Sequence, residues 1–399
     1  MRILVVQESD WIARGPHQSH HLMERLSKRG NQIRVIDYEI LWKEKAEKGL
    51  ISKRLVFEGV HKAISDGEVT VIRPPIIRIS IVDYISLIYT HYNEIKRQIS
   101  EFHPDFIVGF GILNANVAIR LARKNGIPFI YYIIDELHRL VPEKALQRFA
   151  RYIESQNMKN ADMVVSINEG LREYTIRMGA AKERTEIIRA GVDLDRYSSV
   201  GRNAIRERYG ISDNDFVLFF MGWLYEFSGL REVALELGKC PNGNIKLMIV
   251  GKGDLYDTLR DIRCINKLDT KLILIDWIPY EEVPRYLAAS DICILPAYNN
   301  DIMRNIVPIK MYEYMAAGKP VIATSIYGIM KEFGKNNGVI YVDKPEDVLM
   351  KAIALIDSKE TNLEGLNARN FVEKISWNNI IDKFEEFVEM HKKPSGGVN

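Results

Sequence analysis

Glu313 opens the run Glu313-Tyr314-Met315-Ala316-Ala317-Gly318-Lys319-Pro320-Val321-Ile322-Ala323-Thr324, in which a helical stretch passes through a glycine into an apolar strand. A carboxylate near the start of a short helix that Gly318 ends suits a sugar or ribose hydroxyl. Lys310 stands three residues earlier, so a bland reading of the two is a surface ion pair, worth only about 0.5 kcal/mol. Asp135 follows the apolar run Tyr131-Tyr132-Ile133-Ile134. A carboxylate at the end of such a strand stands where open α/β sheets receive ligands. His17 and His21 are four apart on one expected helix face, but a third metal ligand is not evident, and a solvent-facing helix explains them. Gly109-Phe110-Gly111 imitates half of a dinucleotide fingerprint; the third glycine position holds Asn114, so a backbone turn is the expectation. The sequence contains no His-Glu-x-x-His, Walker A or EF-hand pattern.

The elements that must hold these residues are short β-branched runs alternating with helical patterns, the mark of βαβ units and parallel sheets. Strands are expected over 2–7, 32–37, 104–110, 128–134, 162–167 and 185–188, with helices over about 17–29, 94–101 and 114–124. The rhythm then restarts, with strands over 216–221, 246–250, 271–275, 291–296 and 320–324. Helices over 229–238, 255–263, 283–289 and 309–317 alternate with them. At 399 residues the chain exceeds one ordinary core. The expectation is an α/β fold of two facing Rossmann-like doubly wound domains, 1–195 and 208–370, with an interdomain cleft. A final helix over about 377–391 is expected to pack back on the first domain.

Composition narrows the class. Hydrophobic residues make up 47% and charged residues 27%, ordinary for a globular protein. A net charge of +2 provides no basic field that demands nucleic acid. Cys240, Cys264 and Cys293 are widely spaced and form no CxxC, which fits a reduced, cytoplasmic setting. The most apolar stretch, 71–89, is interrupted by Arg73, Pro74, Pro75, Arg78 and Asp83, so no membrane span is expected. No secretory leader is expected either, because the first short strand runs straight into Glu8 and Asp10.

The order of landmarks resembles the family-4 retaining glycosyltransferases over nearly the whole chain. The Glu313 run is similar to the family signature. Gly15 resembles the first-domain glycine loop, and His103-Pro104-Asp105-Phe106-Ile107 the strand midway through that domain. Ala190-Gly191-Val192-Asp193 is similar to the Asn-Gly-Val-Asp crossover, with Ala190 in place of Asn. Val250-Gly251-Lys252-Gly253 resembles the Gly-x-Gly turn of the second domain, and Ser290-Asp291-Ile292-Cys293-Ile294-Leu295-Pro296 the strand that delivers the donor loop. The resemblance implies a nucleotide-sugar donor held by Gly15, Gly222, Arg304, Lys310 and Glu313, with Glu313 on the ribose. It implies contacts near the transferred sugar at Asp135 and Asn305, with His138 a weaker candidate, and no metal and no cofactor.

The chain also departs from the family pattern. Asn305 stands where the first carboxylate of Glu-x7-Glu belongs. Trp223 and Ser228 stand where an Arg and a Lys usually neutralise the donor diphosphate. Two phosphates need compensating charge, and Lys310, then Arg304, are the candidates to supply it. Backbone amides over 306–309, at a helix N-terminus, would add partial positive charge.

The resemblance implies transfer with retention by front-face attack, onto a glycan, lipid-linked or small-molecule acceptor. Two rivals stay open: a nucleotide-sugar epimerase, and a non-catalytic glycosyltransferase-like subunit. A further stretch, Lys53, Arg54, Lys62, Arg73 and Arg78 interleaved with Val56, Phe57, Ile76, Ile79 and Tyr84, reads either as an ordinary sheet edge or as a basic, apolar patch for peripheral membrane contact.

Overall fold

The computed structural model describes residues 1–391 except 14–15, 41, 43–48, 142, 199, 301–302 and 305. The chain divides into two compact units, Met1–Ala190 with Ile380–Asn399, and Gly191–Asn379.

The first unit is built on eight strands: β1 (Arg2–Val6), β2 (Gln32–Ile36), β3 (Leu55–Val60), β4 (Val69–Arg73), β5 (Phe106–Gly109), β6 (Phe129–Ile133), β7 (Met163–Ser166) and β8 (Thr185–Ile187). Their order is β3-β4-β2-β1-β5-β6-β7-β8. Ile3, Leu4, Val5 and Val6 are fully buried, because helices cover both faces of a central parallel strand and leave no polar side. The expected parallel sheet needs one correction: β3 pairs antiparallel with β4 as an edge hairpin. A second correction concerns the helix expected over 94–101, which is Val82–Phe102. Asp10, Asp37 and Arg73 tie the carboxyl ends of β1, β2 and β4 together. The Arg73 guanidinium donates to Asp10 at 2.5 Å and to Asp37 at 2.5 and 3.0 Å, and all three side chains are buried.

The second unit carries β9 (Phe216–Met221), β10 (Ile245–Val250), β11 (Leu272–Ile275), β12 (Ile292–Leu295), β13 (Val321–Thr324) and β14 (Val339–Val342), all parallel, in the order β11-β10-β9-β12-β13-β14. The Gly191 crossover packs on Trp377: a Cβ at Gly191 would lie 2.5 Å from the indole. Trp377 opens the last helix, Trp377–Met390, whose Phe384 ring lies 6.4 Å from that of Phe106. Among the described residues no helix is long and apolar enough to cross a membrane.

Candidate functional site

In the second sheet the strand order reverses between β9 and β12. The carboxyl ends of those two strands frame the crevice where a doubly wound sheet takes a ligand. Gly222 leaves β9 at that point, and the chain beyond β12 leads into the helix Ile309–Ala316.

Backbone geometry explains the glycines here. Gly222 has φ 128° and its amide donates to the Val250 carbonyl at 2.9 Å. Gly251 has φ 149°, and a Cβ there would lie 1.9 Å from the Gly222 oxygen. A Cβ on Gly253 would lie 2.6 Å from the Leu224 nitrogen. The two loops therefore lie backbone against backbone, an approach that only glycine allows.

Lys310 reaches over this loop. Its Nζ lies 4.2 Å from the centre of the Phe220 ring, and a Cβ on Gly222 would stand 2.5 Å from that nitrogen. Among the described residues it has no hydrogen bond or ion pair. Burial pulls its pKa down to about 8, with the Glu313 charge pulling the other way. A cation in this state is a ready partner for an incoming anion.

Glu313 sits one helical turn on and is buried. The ion pair with Lys310 that the spacing offered is not formed. Glu313 Oε1 instead accepts from the Tyr280 hydroxyl at 2.6 Å and the Tyr197 hydroxyl at 3.2 Å. Arg196 stacks on Tyr280, its guanidinium carbon 3.8 Å from the ring centre, and donates to the Tyr280 carbonyl at 2.9 Å. Desolvation pushes the Glu313 carboxyl above its ordinary range, opposed by the two hydroxyls and by Arg196 and Lys310. Sequence reasoning missed both tyrosines. For Tyr280 a signal existed, since it follows β11 at the carboxyl end of the same sheet.

The remaining residues are dispersed. Arg304 is exposed and lines a separate cavity of about 420 Å³ with Asn299, Asn300, Ser325, Tyr327 and Met330. Trp223 is half exposed, whereas Ser228 is buried with its hydroxyl unpartnered. Asn305 and Gly15 lie outside the described residues.

In the first unit Asp135 is exposed just beyond β6, and its Oδ1 accepts from the Glu136 amide at 2.8 Å. His138 turns inward: Nδ1 lies 2.8 Å from Glu154 and 3.1 Å from the Tyr174 hydroxyl, and the ring is buried. Glu8, which sequence reasoning passed over, stands at the reversal between β1 and β5 and accepts from the Asn114 amide at 2.7 Å. Burial pushes its carboxyl up. The basic patch read from the sequence is partly dismantled: Arg73 and Ile76 are buried, and Arg78 is bonded to Glu39 at 3.0 Å.

Residues 18–196 match the model of Glycosyltransferase Family 4, and residues 201–374 that of Glycosyl transferases group 1. The chain is 24% identical over 239 residues to an uncharacterized glycosyltransferase of Methanocaldococcus jannaschii, covering 58% of this chain and 59% of that one. It is 25% identical over 242 residues to the D-inositol 3-phosphate glycosyltransferase of Corynebacterium efficiens, covering 57% and 56%. The chain thus spans less than two thirds of the length of these relatives. Among solved structures, Anabaena HepE in complex with UDP has the same fold, with a TM-score of 0.73 at 16% identity, covering 98% of this chain and 100% of that one. The glycosyltransferase WaaG gives a TM-score of 0.64 at 18% identity, covering 100% of both chains. With each half matched by a glycosyltransferase model and both sheets in doubly wound order, this chain belongs to the family-4 glycosyltransferases.

Proposed function

We propose that this chain transfers a sugar, with retention and without a metal, from a nucleotide-sugar donor to a glycan, lipid-linked or small-molecule acceptor. The observation that carries the reading is Lys310, an ammonium over the Gly222 loop with no ion pair among the described residues, with the buried carboxylate of Glu313 one helical turn away. Anabaena HepE, which shares the fold, has been solved with UDP and with UDP-glucose, consistent with a nucleotide-sugar donor.

In this reading Lys310 neutralises the donor diphosphate in place of the charges missing at Trp223 and Ser228. Amides at the start of the helix Ile309–Ala316 add partial positive charge. Glu313 accepts from the ribose hydroxyls. The bond from the anomeric carbon to the phosphate oxygen breaks, the acceptor oxygen bonds the same face of that carbon, and the leaving phosphate takes the acceptor proton. Preorganised charge on the departing phosphate is the largest contribution such a site can make. Gly15 and Arg304 remain donor-side proposals, and Asp135 and Asn305 catalytic-site contacts near the transferred sugar or acceptor. We also place the protein in the cytoplasm, in peripheral contact with the inner face of the membrane. Three unpaired cysteines are consistent with a reducing compartment.

Calorimetry with a panel of nucleoside diphosphates and nucleotide-sugars tests the donor reading. Binding of one of them that Glu313→Ala abolishes supports it. Binding of none, by protein that melts cooperatively, overturns it.

A further inference from the structure

The crossover into the second unit carries two of the groups that surround Glu313. Arg196 and Tyr197 lie in one short helical turn, Asp195–Tyr197. Tyr197 reaches the carboxylate directly, and Arg196 reaches it by way of Tyr280. The turn closes on itself only through the Tyr197 amide on the Leu194 carbonyl at 3.2 Å and the Ser198 amide on the Asp195 carbonyl at 3.1 Å. A single turn of this kind has little stability of its own. Whatever anchors it decides where its phenol and its guanidinium stand.

The first anchor lies upstream. The Val192 amide donates to the Ile375 carbonyl at 3.1 Å, and the Val192 carbonyl accepts from the Trp377 amide at 3.2 Å. The second anchor is Arg369, on the helix Thr361–Glu373 that precedes those residues. Both terminal nitrogens of its guanidinium donate to the Leu194 carbonyl at 3.4 Å, and one also donates to Ser198 Oγ at 3.3 Å. The same guanidinium donates to the carbonyl of Ala316, the last residue of the helix that carries Glu313. Arg369 therefore bonds the turn and the helix that the turn serves. The helix that presents it is closely seated, since a Cβ on Gly365 would lie 2.3 Å from the Gly318 oxygen.

We propose that Arg369 is a positioning residue for the donor carboxylate: it clamps the turn Asp195–Tyr197 to the end of the helix Ile309–Ala316 and so sets Tyr197 and Arg196 against Glu313. It has no hydrogen bond or ion pair with Glu313 itself; its own carboxylate partner is Glu373, at 3.8 Å. A planar fork reaches several acceptors at once, which a lysine ammonium on a flexible stem does not. Glu313 is faced by Tyr280, Tyr197, Arg196 and Lys310, and each of them lowers its carboxyl pKa against the burial that raises it. Loosening the turn weakens two of these four. The assignment deepens the donor reading above and rests on it, but its first measurement needs no donor.

The test is carbon NMR titration of the glutamate carboxyls in the free full chain, with Glu313→Gln to assign the Glu313 signal. Arg369→Gln should raise the Glu313 titration by about one pH unit, a tenfold change in its protonation equilibrium. Arg369→Lys keeps the charge and loses the fork, so it should raise the titration in the same direction and carries the same readout if the glutamine variant does not fold. Tyr197→Phe should raise it too, and adding Arg369→Lys to that variant should move it by less than Arg369→Lys alone, because residues acting through one contact are not additive. Nucleoside-diphosphate binding should weaken about tenfold in Arg369→Lys. A lower melting temperature with the Glu313 titration unmoved would make Arg369 a structural residue only and overturn the assignment. So would a shift in Arg369→Gln that Arg369→Lys lacks, which would be the loss of a distant charge. An unmoved titration with donor binding intact removes the positioning role alone; a shifted titration in a chain that binds no nucleoside diphosphate removes the transfer reading alone.

Discussion

The Tyr280 hydroxyl donates to Glu313 Oε1 at 2.6 Å, and Arg196 caps the back of the Tyr280 ring. The signature carboxylate of the helix Ile309–Ala316 is thus held from a different strand end, beyond β11. A buried carboxylate that keeps one oxygen on a neutral hydroxyl stays oriented without forming an ion pair that would compete with a ligand.

Tyr280→Phe removes the shorter of the two hydroxyl contacts on Glu313. The expected loss in nucleoside-diphosphate affinity is about 1.5–3 kcal/mol, the range for hydrogen bonds to a charged group. Burial already raises the Glu313 carboxyl, and losing a donor raises it further. The acid limb of the binding profile should therefore move to higher pH. Calorimetry across the acid range reads both effects, and an unmoved limb would mean that Tyr280 does not tune Glu313.

Lys310→Met should stabilise the fold while removing diphosphate affinity. Burial lowers the lysine pKa from 10.5 to about 8. Between those values the unfolded chain holds a proton that the folded chain does not, so stability rises with pH across that window. Below about 8 both states are protonated and the full penalty stands. The methionine variant should be about 1–3 kcal/mol more stable at pH 7, with the gap narrowing toward pH 9 in urea titrations. An unchanged gap would place the ammonium in solvent.

The turn Gly251-Lys252-Gly253 was legible as a glycine motif, and the structure supplies its reason in the Gly222 carbonyl. Gly251→Ala would put a methyl 1.9 Å from that oxygen at φ 149°. A loss of at least about 2 kcal/mol in chemical denaturation is expected. Gly222→Ala meets the flexible end of Lys310 instead of backbone, though at φ 128°, so it should cost the fold less than Gly251→Ala and should also weaken diphosphate binding.

What the sequence made legible follows from which faces are polar. β9 and the helix Val283–Ala289 fall where their apolar patterns place them, and the double rhythm of strands gives two doubly wound sheets. The first half of the helix Val82–Phe102 was not legible, because Ile85, Ile88 and Tyr89 face outward and erase its amphipathic contrast. The partners of Glu313 were hidden for a different reason. Tyr197 and Tyr280 are 116 and 33 residues away in sequence, and only the return of the chain from β11 and from the crossover brings them to the carboxylate. Arg73 stayed open between a sheet edge and a basic patch, since nothing local marks Asp10 and Asp37 as its partners.

That last pairing gives a sharp contrast with the exposed cations. Arg73→Ala would leave Asp10 and Asp37 buried without their cation, at a cost of about 3–5 kcal/mol. Arg148→Ala, on an exposed helix face, should cost under about 0.5 kcal/mol. Burial already raises the Asp37 carboxyl even beside Arg73, and without the guanidinium it should rise further. The folded variant would then hold a proton that the unfolded chain has released, so its stability should fall as pH rises from about 4 and recover on acidification. Denaturation of both variants at pH 5 and pH 8 measures the difference. Equal, small losses for the two would return Arg73 to the surface and the basic patch to its first reading.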